Sequence, residues 1–415
     1  MAFQSRRPER QGQTIQHAMR IAARVFGLCL VSALVGAVIQ ANHAHAQVIA
    51  GTSVYARTET ADCKVDGKTQ NCYTSVIAPR LHVGAPVSDT TRVDLVYTAD
   101  VWSSASIDIR ASASKRLTAQ GIEKDQRPVI EQRDEINGTV TQEWNDVSLS
   151  GTYRYSHEYD YGSHGGILNG SYGFNDKNST LEMRLSATFD QAGAAGDPKF
   201  KRAVTNLGAR IGFTQLLDQQ TFVQGIYELM SAHGYNSSPY RKIGIGTPDG
   251  LCGSDPSSRC IPEVNPNQRT RHALALNLRR ALGEVFAFGV GYRLYLDSWS
   301  VMSHTALVDL SIMPSQSWLL ALRYRFYLQG AAEHYRRSFG VADIDLGYYT
   351  NDKELSAFTS HRVSFDLEHS FELDAPGHVL TLVLSLAPSI FSYSNYAPLT
   401  SLTAAEVSLA TVMKL

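Results

Sequence analysis

EVFAFGVGYRLYLDSWSVMSHTALVDLSIMPSQSWLLALRYRFYLQG, residues Glu284 to Gly330, is the stretch that decides the fold. With a period of two, Phe286, Phe288, Val290, Tyr292, Leu294 and Leu296 share one face, and Ala287, Gly289, Gly291, Arg293, Tyr295 and Asp297 share the other. After a break at Asp297 to Val301 the pattern resumes, with His304, Ala306, Val308, Leu310 and Ile312 against Ser303, Thr305, Asp309 and Ser311. The segment MPSQS makes a turn. A third run sets Trp318, Leu320, Leu322, Tyr324, Phe326 and Leu328 against Ala321, Arg323, Arg325, Tyr327 and Gln329.

A soluble sandwich also alternates, so periodicity alone leaves the class open. Length decides against it: these runs are about 10 to 12 residues, enough to cross a bilayer when tilted, where soluble strands average about 5 to 6. The apolar row also carries aromatics at its ends. Trp318 and Phe326 are separated by about 26 Å of strand, the spacing of two interfacial girdles.

The N-terminal region points to export. Val25 to Ile39, VFGLCLVSALVGAVI, is one apolar run behind Arg20 and Arg24, and it leads to the small-x-small site Ala44-His45-Ala46. Residues 1–46 are therefore expected to be a cleaved signal peptide, with an uncleaved anchor as the rival, and 47–415 a single domain. Met19 would start a signal of ordinary length. Arg6-Arg7 lacks the hydrophobic residues that twin-arginine export requires, and Cys29 follows Leu28 rather than a small residue, unlike a lipoprotein site. Beyond Ala46 no apolar stretch reaches the ~20 residues of a membrane helix, so a membrane form would have to be a closed sheet.

The other cysteines come as Cys63 with Cys72 and Cys252 with Cys260, around the polar segments KVDGKTQN and GSDPSSR. In an oxidising compartment two local disulfides are expected; zinc is the rival, without C-x-x-C spacing or a histidine to support it. A net charge of -1 and a pI near 6.9 give no nucleic-acid footprint. No Gly-rich phosphate loop, G-x-S-x-G or H-E-x-x-H is present, so neither a catalytic residue nor a cofactor is expected.

Taken in order, the chain reads as about sixteen strands whose connections alternate between long and short, as in an antiparallel up-and-down barrel with periplasmic turns and outer loops. Cys63 to Cys72, Ala192 to Arg202, Ala232 to about Asn267, and Gly330 to about Ser360 are expected to be loops. The last run, Ala404 to Leu415, ends in leucine where barrel assembly signals usually end in an aromatic residue.

Four segments resemble a large family of bacterial outer-membrane proteins known only as a domain of unknown function. They are YTADVWSSASIDI (Tyr97 to Ile109), YRLYLDSWSVMSHTA (Tyr292 to Ala306), YRFYLQGAAEHY (Tyr324 to Tyr335) and ELSAFTSHRV (Glu354 to Val363). The resemblance implies one large outer-membrane barrel, all-β and transmembrane. It implies no activity.

The inward phase supplies Arg154, Arg184, Arg210, Arg279, Arg293, Arg323 and Arg325, and against them Asp94, Asp100, Glu182, Glu228, Asp309, Asp366 and Glu368. These are the lumen-lining candidates. They would form rings selecting small solutes in an open pore, or pair across the wall around a plug. A recurring dipeptide, Ser163-His164, Ser303-His304 and Ser360-His361, with Arg271-His272 as a variant, offers a rim site should His164, His304 and His361 converge. Strand phase instead puts His304 on the apolar face. Ser303, His304 and Asp297 would be the first guess for a hydrolytic set, although adjacent strand residues point to opposite faces. The expected function is a porin-like channel or transport component, with a loop-borne binding surface and a rim hydrolase as alternatives. Its expected partners are outer-membrane lipid and, during biogenesis, the barrel-assembly machinery.

Overall fold

In the computed structural model the described residues form twenty strands, and the barrel strands among them follow from this alternation. The structure describes residues 48–65, 68–104, 117–118, 121–122, 129–194, 196–247, 250, 252, 259–375, 377–396 and 398–415, without the side chains of 63–72, 102–131 and 346. The expected signal peptide lies outside the described residues.

The first part of the chain forms β1 (Ile49–Val65), β2 (Lys68–Pro86), β3 (Thr91–Ser104), the two-residue strands β4 (Leu117–Thr118) and β5 (Gly121–Ile122), β6 (Val129–Trp144) and β7 (Val147–Glu158). Next come β8 (Tyr161–Phe174), β9 (Ser179–Ala194), β10 (Asp197–Leu216), β11 (Thr221–Gly234), and a loop hairpin of β12 (Lys242–Ile245) with β13 (Arg259–Pro262). The rest are β14 (Gln268–Leu282), β15 (Phe286–Asp297), β16 (Met302–Ser315), β17 (Trp318–Gln329), β18 (Phe358–Glu372), β19 (Val379–Tyr393) and β20 (Ser401–Lys414).

Sixteen of them close into an antiparallel barrel, each paired with its neighbour in the chain. The seam joins β1 to β20 from Ile49↔Lys414 to Thr60↔Thr403, which leaves no free edge. Both ends of the domain lie at one rim. Connections at that rim are short, the longest being 373–378, whereas the opposite rim carries 105–128, 235–267 and 330–357.

Two expected loops are strands. β1 and β2 stay in register through Cys63↔Gln70 to Val65↔Lys68, and β9 and β10 run on through 192–202 with one irregularity between Asp197 and Arg202. The physical reason is that a hairpin standing clear of the bilayer is wetted on both faces. It keeps its backbone pairing while losing the apolar row that marks a strand in sequence.

The outward row is apolar and exposed around the circumference: Leu149, Leu168, Met183, Ile211, Leu276, Val308, Leu322, Val363 and Leu409 all face away from the lumen, Leu168 at 63% and Leu276 at 59% exposure. Aromatic rings bound this band. Toward the short-turn rim stand Trp144, Tyr172, Phe174, Phe286 and Trp318, the last stacked on His369 at 4.0 Å. Toward the long-loop rim stand Tyr155, Phe189, Tyr227, Tyr292 and Tyr324. On β8, Phe174 and His164 share the outward phase. At about 3.3 Å per residue and a tilt near 40°, their separation is on the order of 25 Å of bilayer height. Wetting such a band would cost about 1.5–3 kcal/mol per large side chain, so hydrocarbon is what covers it.

Candidate functional site

The inner wall is the other phase of the same strands, and most of its charges pair laterally between neighbouring strands. Arg154 meets Glu135 at 2.6 Å, Arg133 meets Asp100 at 2.6 Å, and Arg323 meets Asp366 at 2.9 Å. Asp94 accepts from Arg92 at 2.9 Å and lies 2.8 Å from His82. Glu228 takes Arg293 at 3.0 Å and the more distant Arg210 at 3.8 Å. Buried Glu406 accepts from Arg57 at 2.7 Å and Arg362 at 2.6 Å, which binds the two sides of the seam.

One pair depends on a missing side chain. Arg279 and Asp309 sit on β14 and β16, both opposite Gly289 of the strand between them, and approach to 3.7 Å across it. A Cβ at Gly289 would overlap the Asp309 carboxylate, so glycine makes the bridge possible.

Other expected lumen residues have no such partner. Among the described residues Arg184, Arg325, Glu182 and Glu368 have no opposite charge at ion-pair distance, and the Arg325 guanidinium lies over the Tyr327 ring at 5.4 Å. Arg271, next to the girdle residue His272, belongs with them. Its inward phase with Ala273, Asn277 and Arg279 was the available signal. Glu135, Asp190 and Glu406 were also missed, and strand phase marks them in the same way.

The long loops interlock over one mouth. Segment 235–267, with the β12–β13 hairpin, joins segment 330–357 through the bridges Ile245↔Phe339 and Val264↔Tyr349 and a core of Ile243, Ile245, Ile261 and Phe339. A second core, Trp299, Val301, Ala332, Tyr335 and Leu355, seats this cap on the β15–β16 turn. Tyr335 Oη donates to Asn395 O at 2.6 Å, so the 394–400 loop is held as well. Cys252 and Cys260 are disulfide-bonded within the cap. The Cys63 and Cys72 side chains lie outside those described; their backbones are diagonal neighbours, opposite Gln70 and Ala61.

Glu263 is the centre of the junction between the two cap segments, the cap seam. Its side chain is fully buried and accepts from Ser238 N at 3.0 Å, from Arg241 at 3.4 Å and from the Thr350 hydroxyl, while Arg241 also reaches Asp352 at 2.6 Å. His334 lies 2.9 Å from Asn265 Oδ1 and edge-on to Trp299; burial, reinforced by Arg269, pushes its pKa below the ordinary value. Burial also raises the Asp160 carboxyl and the Tyr235 phenol.

Beneath the cap three cavities descend along the β6–β11 wall. The outermost, of about 620 Å³, lies between Glu158, Asp160, Tyr161, Asn206, Tyr235, Arg241, Glu263, Arg269, Arg271, Trp299 and Asp352. It shares Tyr161, Asn206 and Arg271 with a second of about 320 Å³, lined also by Arg133, Arg154, Ser163 and Asp190. The third, of about 180 Å³, lies lower, between Ser150, Asn169, Glu182, Arg184 and Arg210.

The histidines do not converge. Each projects from the outer face onto a tyrosine of the preceding strand: Tyr227 with His272 at 2.8 Å, Tyr292 with His304 at 2.6 Å, and Tyr324 with His361 at 2.7 Å. His164 lies opposite Tyr155 and packs on Phe189. The rim site of His164, His304 and His361 is thus corrected to part of a girdle, because all three occupy the apolar phase. Ser303 is buried on the inner face while its neighbour His304 is outside, and Asp297 is bound by Arg269, so the hydrolytic set is not assembled. No group of three or more His, Cys, Asp or Glu among the described residues could hold a metal.

Closed wall, apolar exterior and charged interior define a large transmembrane β-barrel. The chain belongs to the family described as protein of unknown function DUF3570, whose model matches residues 33–379. No curated protein matches. Similar solved structures include a bacterial polysaccharide outer membrane secretin (10% identity, 88% of this chain, 98% of that one, TM-score 0.44). A Pseudomonas aeruginosa FadL homologue matches at 9% identity over 89% of this chain and 90% of that one, with TM-score 0.40. The Pseudomonas putida toluene transporter TodX matches at 11% over 90% and 89%, with TM-score 0.39. At such scores these likenesses carry nothing about function, and the architecture rests on the strand pairing itself.

Proposed function

We propose that this protein is a porin-like channel of the bacterial outer membrane that passes small polar solutes through a capped, charge-lined lumen. The polypeptide is exported by a signal peptide cut after Ala46, handed to the barrel-assembly machinery, and embedded in outer-membrane lipid. The long-loop rim faces outward and the short-turn rim, with both ends of the domain, faces the periplasm, the usual arrangement for such barrels. The observation that carries this reading is the descending series of cavities on the β6–β11 wall, from the capped mouth past Arg271 and Arg154 to Arg184 and Arg210. Refolded protein inserted in a planar bilayer is expected to give stable single-channel steps. Quantitative insertion with a silent membrane overturns the proposal.

A further inference from the structure

Resting on the channel reading, one residue stands out where two cavities of its path meet. Arg271 lines both the outer vestibule and the cavity below it, with Tyr161 and Asn206 as the other shared residues. Its guanidinium stands beside the Tyr295 phenol, and that phenol donates to Asp297 at 2.8 Å. Asp297 itself is taken by Arg269, at 2.8 Å and 2.5 Å. Among the described residues no carboxylate stands at ion-pair distance from Arg271.

The acid that lines the lower cavity is also occupied. Asp190 accepts from Tyr161 at 2.7 Å, Ser163 at 2.5 Å and Asn206 at 2.7 Å, so its oxygens are directed at the wall. Arg133 and Arg154 below are held by Asp100 and Glu135, which do not line the cavity. The lower cavity therefore shows three guanidinium groups and one committed carboxylate.

We propose that Arg271 binds the carboxylate of a small monoanionic solute at the throat between vestibule and lumen. A guanidinium with no carboxylate of its own offers its donors as a planar fork that matches a carboxylate. The carboxylates of the vestibule wall, Glu158, Asp160, Glu263, Asp352 and Glu354, outnumber its arginines, Arg241, Arg269 and Arg271, which disfavours a dianion such as hydrogen phosphate.

The test uses the full mature chain refolded in detergent, with heat-modifiable gel migration checking that each variant folds. The probe is 4-fluorobenzoate, followed by fluorine NMR line broadening. Wild type broadens the signal, acetate competes and inorganic phosphate does not. Arg271→Gln weakens binding on the order of tenfold to a hundredfold, and Arg271→Lys, which keeps charge but loses the fork, falls between. Arg280→Gln, which removes a charge at the short-turn rim, binds as wild type. Equal broadening by wild type and Arg271→Gln overturns the proposal, as does displacement by phosphate as strong as by acetate. In a bilayer under a KCl gradient, Arg271→Glu moves the reversal potential toward cations. A wild type that binds the probe but does not conduct sinks the channel and leaves the site standing; one that conducts with no dependence on residue 271 does the reverse.

Discussion

Replacing Glu263 by alanine tests whether the cap is a locked structure or a loose covering. The substitution removes the acceptor of Ser238 N, Arg241 and Thr350 at once, in a place where the carboxylate is fully buried. Breaking a buried ion pair from one side costs about 3–5 kcal/mol. Arg241 retains Asp352 at 2.6 Å and is partly exposed, so the lower end applies, about 3 kcal/mol. Glu263→Gln keeps the volume and one acceptor oxygen and is expected to cost about 1–1.5 kcal/mol. At 1.4 kcal/mol per factor of ten, local opening of the seam rises about a hundredfold for alanine and about tenfold for glutamine. The readout is hydrogen exchange at Val264 and Tyr349, whose backbones bond each other at 3.2 and 2.9 Å across the seam. Exchange at those amides should accelerate by these factors while β15 to β17 stay protected. Wild-type exchange at Val264 and Tyr349 in Glu263→Ala would refute the latch.

Three further outcomes follow from the same geometry. His334 has a folded pKa below its unfolded value of about 6.5, so the stability it confers is complete above that pH and is lost as pH falls below it; gating events should become more frequent between pH 7.5 and 5, and His334→Gln should flatten the profile. Leu276→Arg, in the middle of the lipid-facing band, should destabilise the barrel by about 2–4 kcal/mol in vesicle unfolding, and the adjacent lumen-facing Asn277→Arg by under about 1 kcal/mol; equal costs would reverse the inside and outside assignment. Gly289→Ala should displace the Asp309 carboxylate and part it from Arg279 with the fold intact, changing single-channel conductance; a wild-type conductance would count against a role for the pair in the lumen.

The barrel was legible because a closed transmembrane sheet imposes one rule on every residue it passes through the bilayer. Phe286 to Leu296 and Trp318 to Leu328 obey it, and from them the class, the sixteen strands and the two girdles follow. The rule stops at the membrane surface, which is why the Cys63–Cys72 hairpin and the tops of β9 and β10 read as loops. Phase also places Arg154, Arg293 and Arg323 on the inner wall, but it gives neither height nor partner. Glu406 meets Arg57 and Arg362 only through closure of the seam, and Arg271 becomes distinctive only once the cap and β9–β10 fix where the throat lies. The cap was the least legible part, because its order comes from contacts between loops far apart in sequence, as at Val264↔Tyr349.

Whether the lumen carries water or is filled by its own side chains is decided by the charges that pairing leaves over. An isolated guanidinium in a dry interior costs far more than a barrel could tolerate, so such a group marks a place that stays hydrated. Arg184, Arg271 and Arg325 have no carboxylate at ion-pair distance among the described residues. A plug built from the cap would have to bring carboxylates to these positions. The cap's own acids at the seam, Glu263 and Asp352, are committed to Arg241. Among the described residues, these two acids cover the mouth without neutralising what lies below it. Arg184 and Arg271 line the cavities themselves, where only water, or a passing anion, can satisfy them.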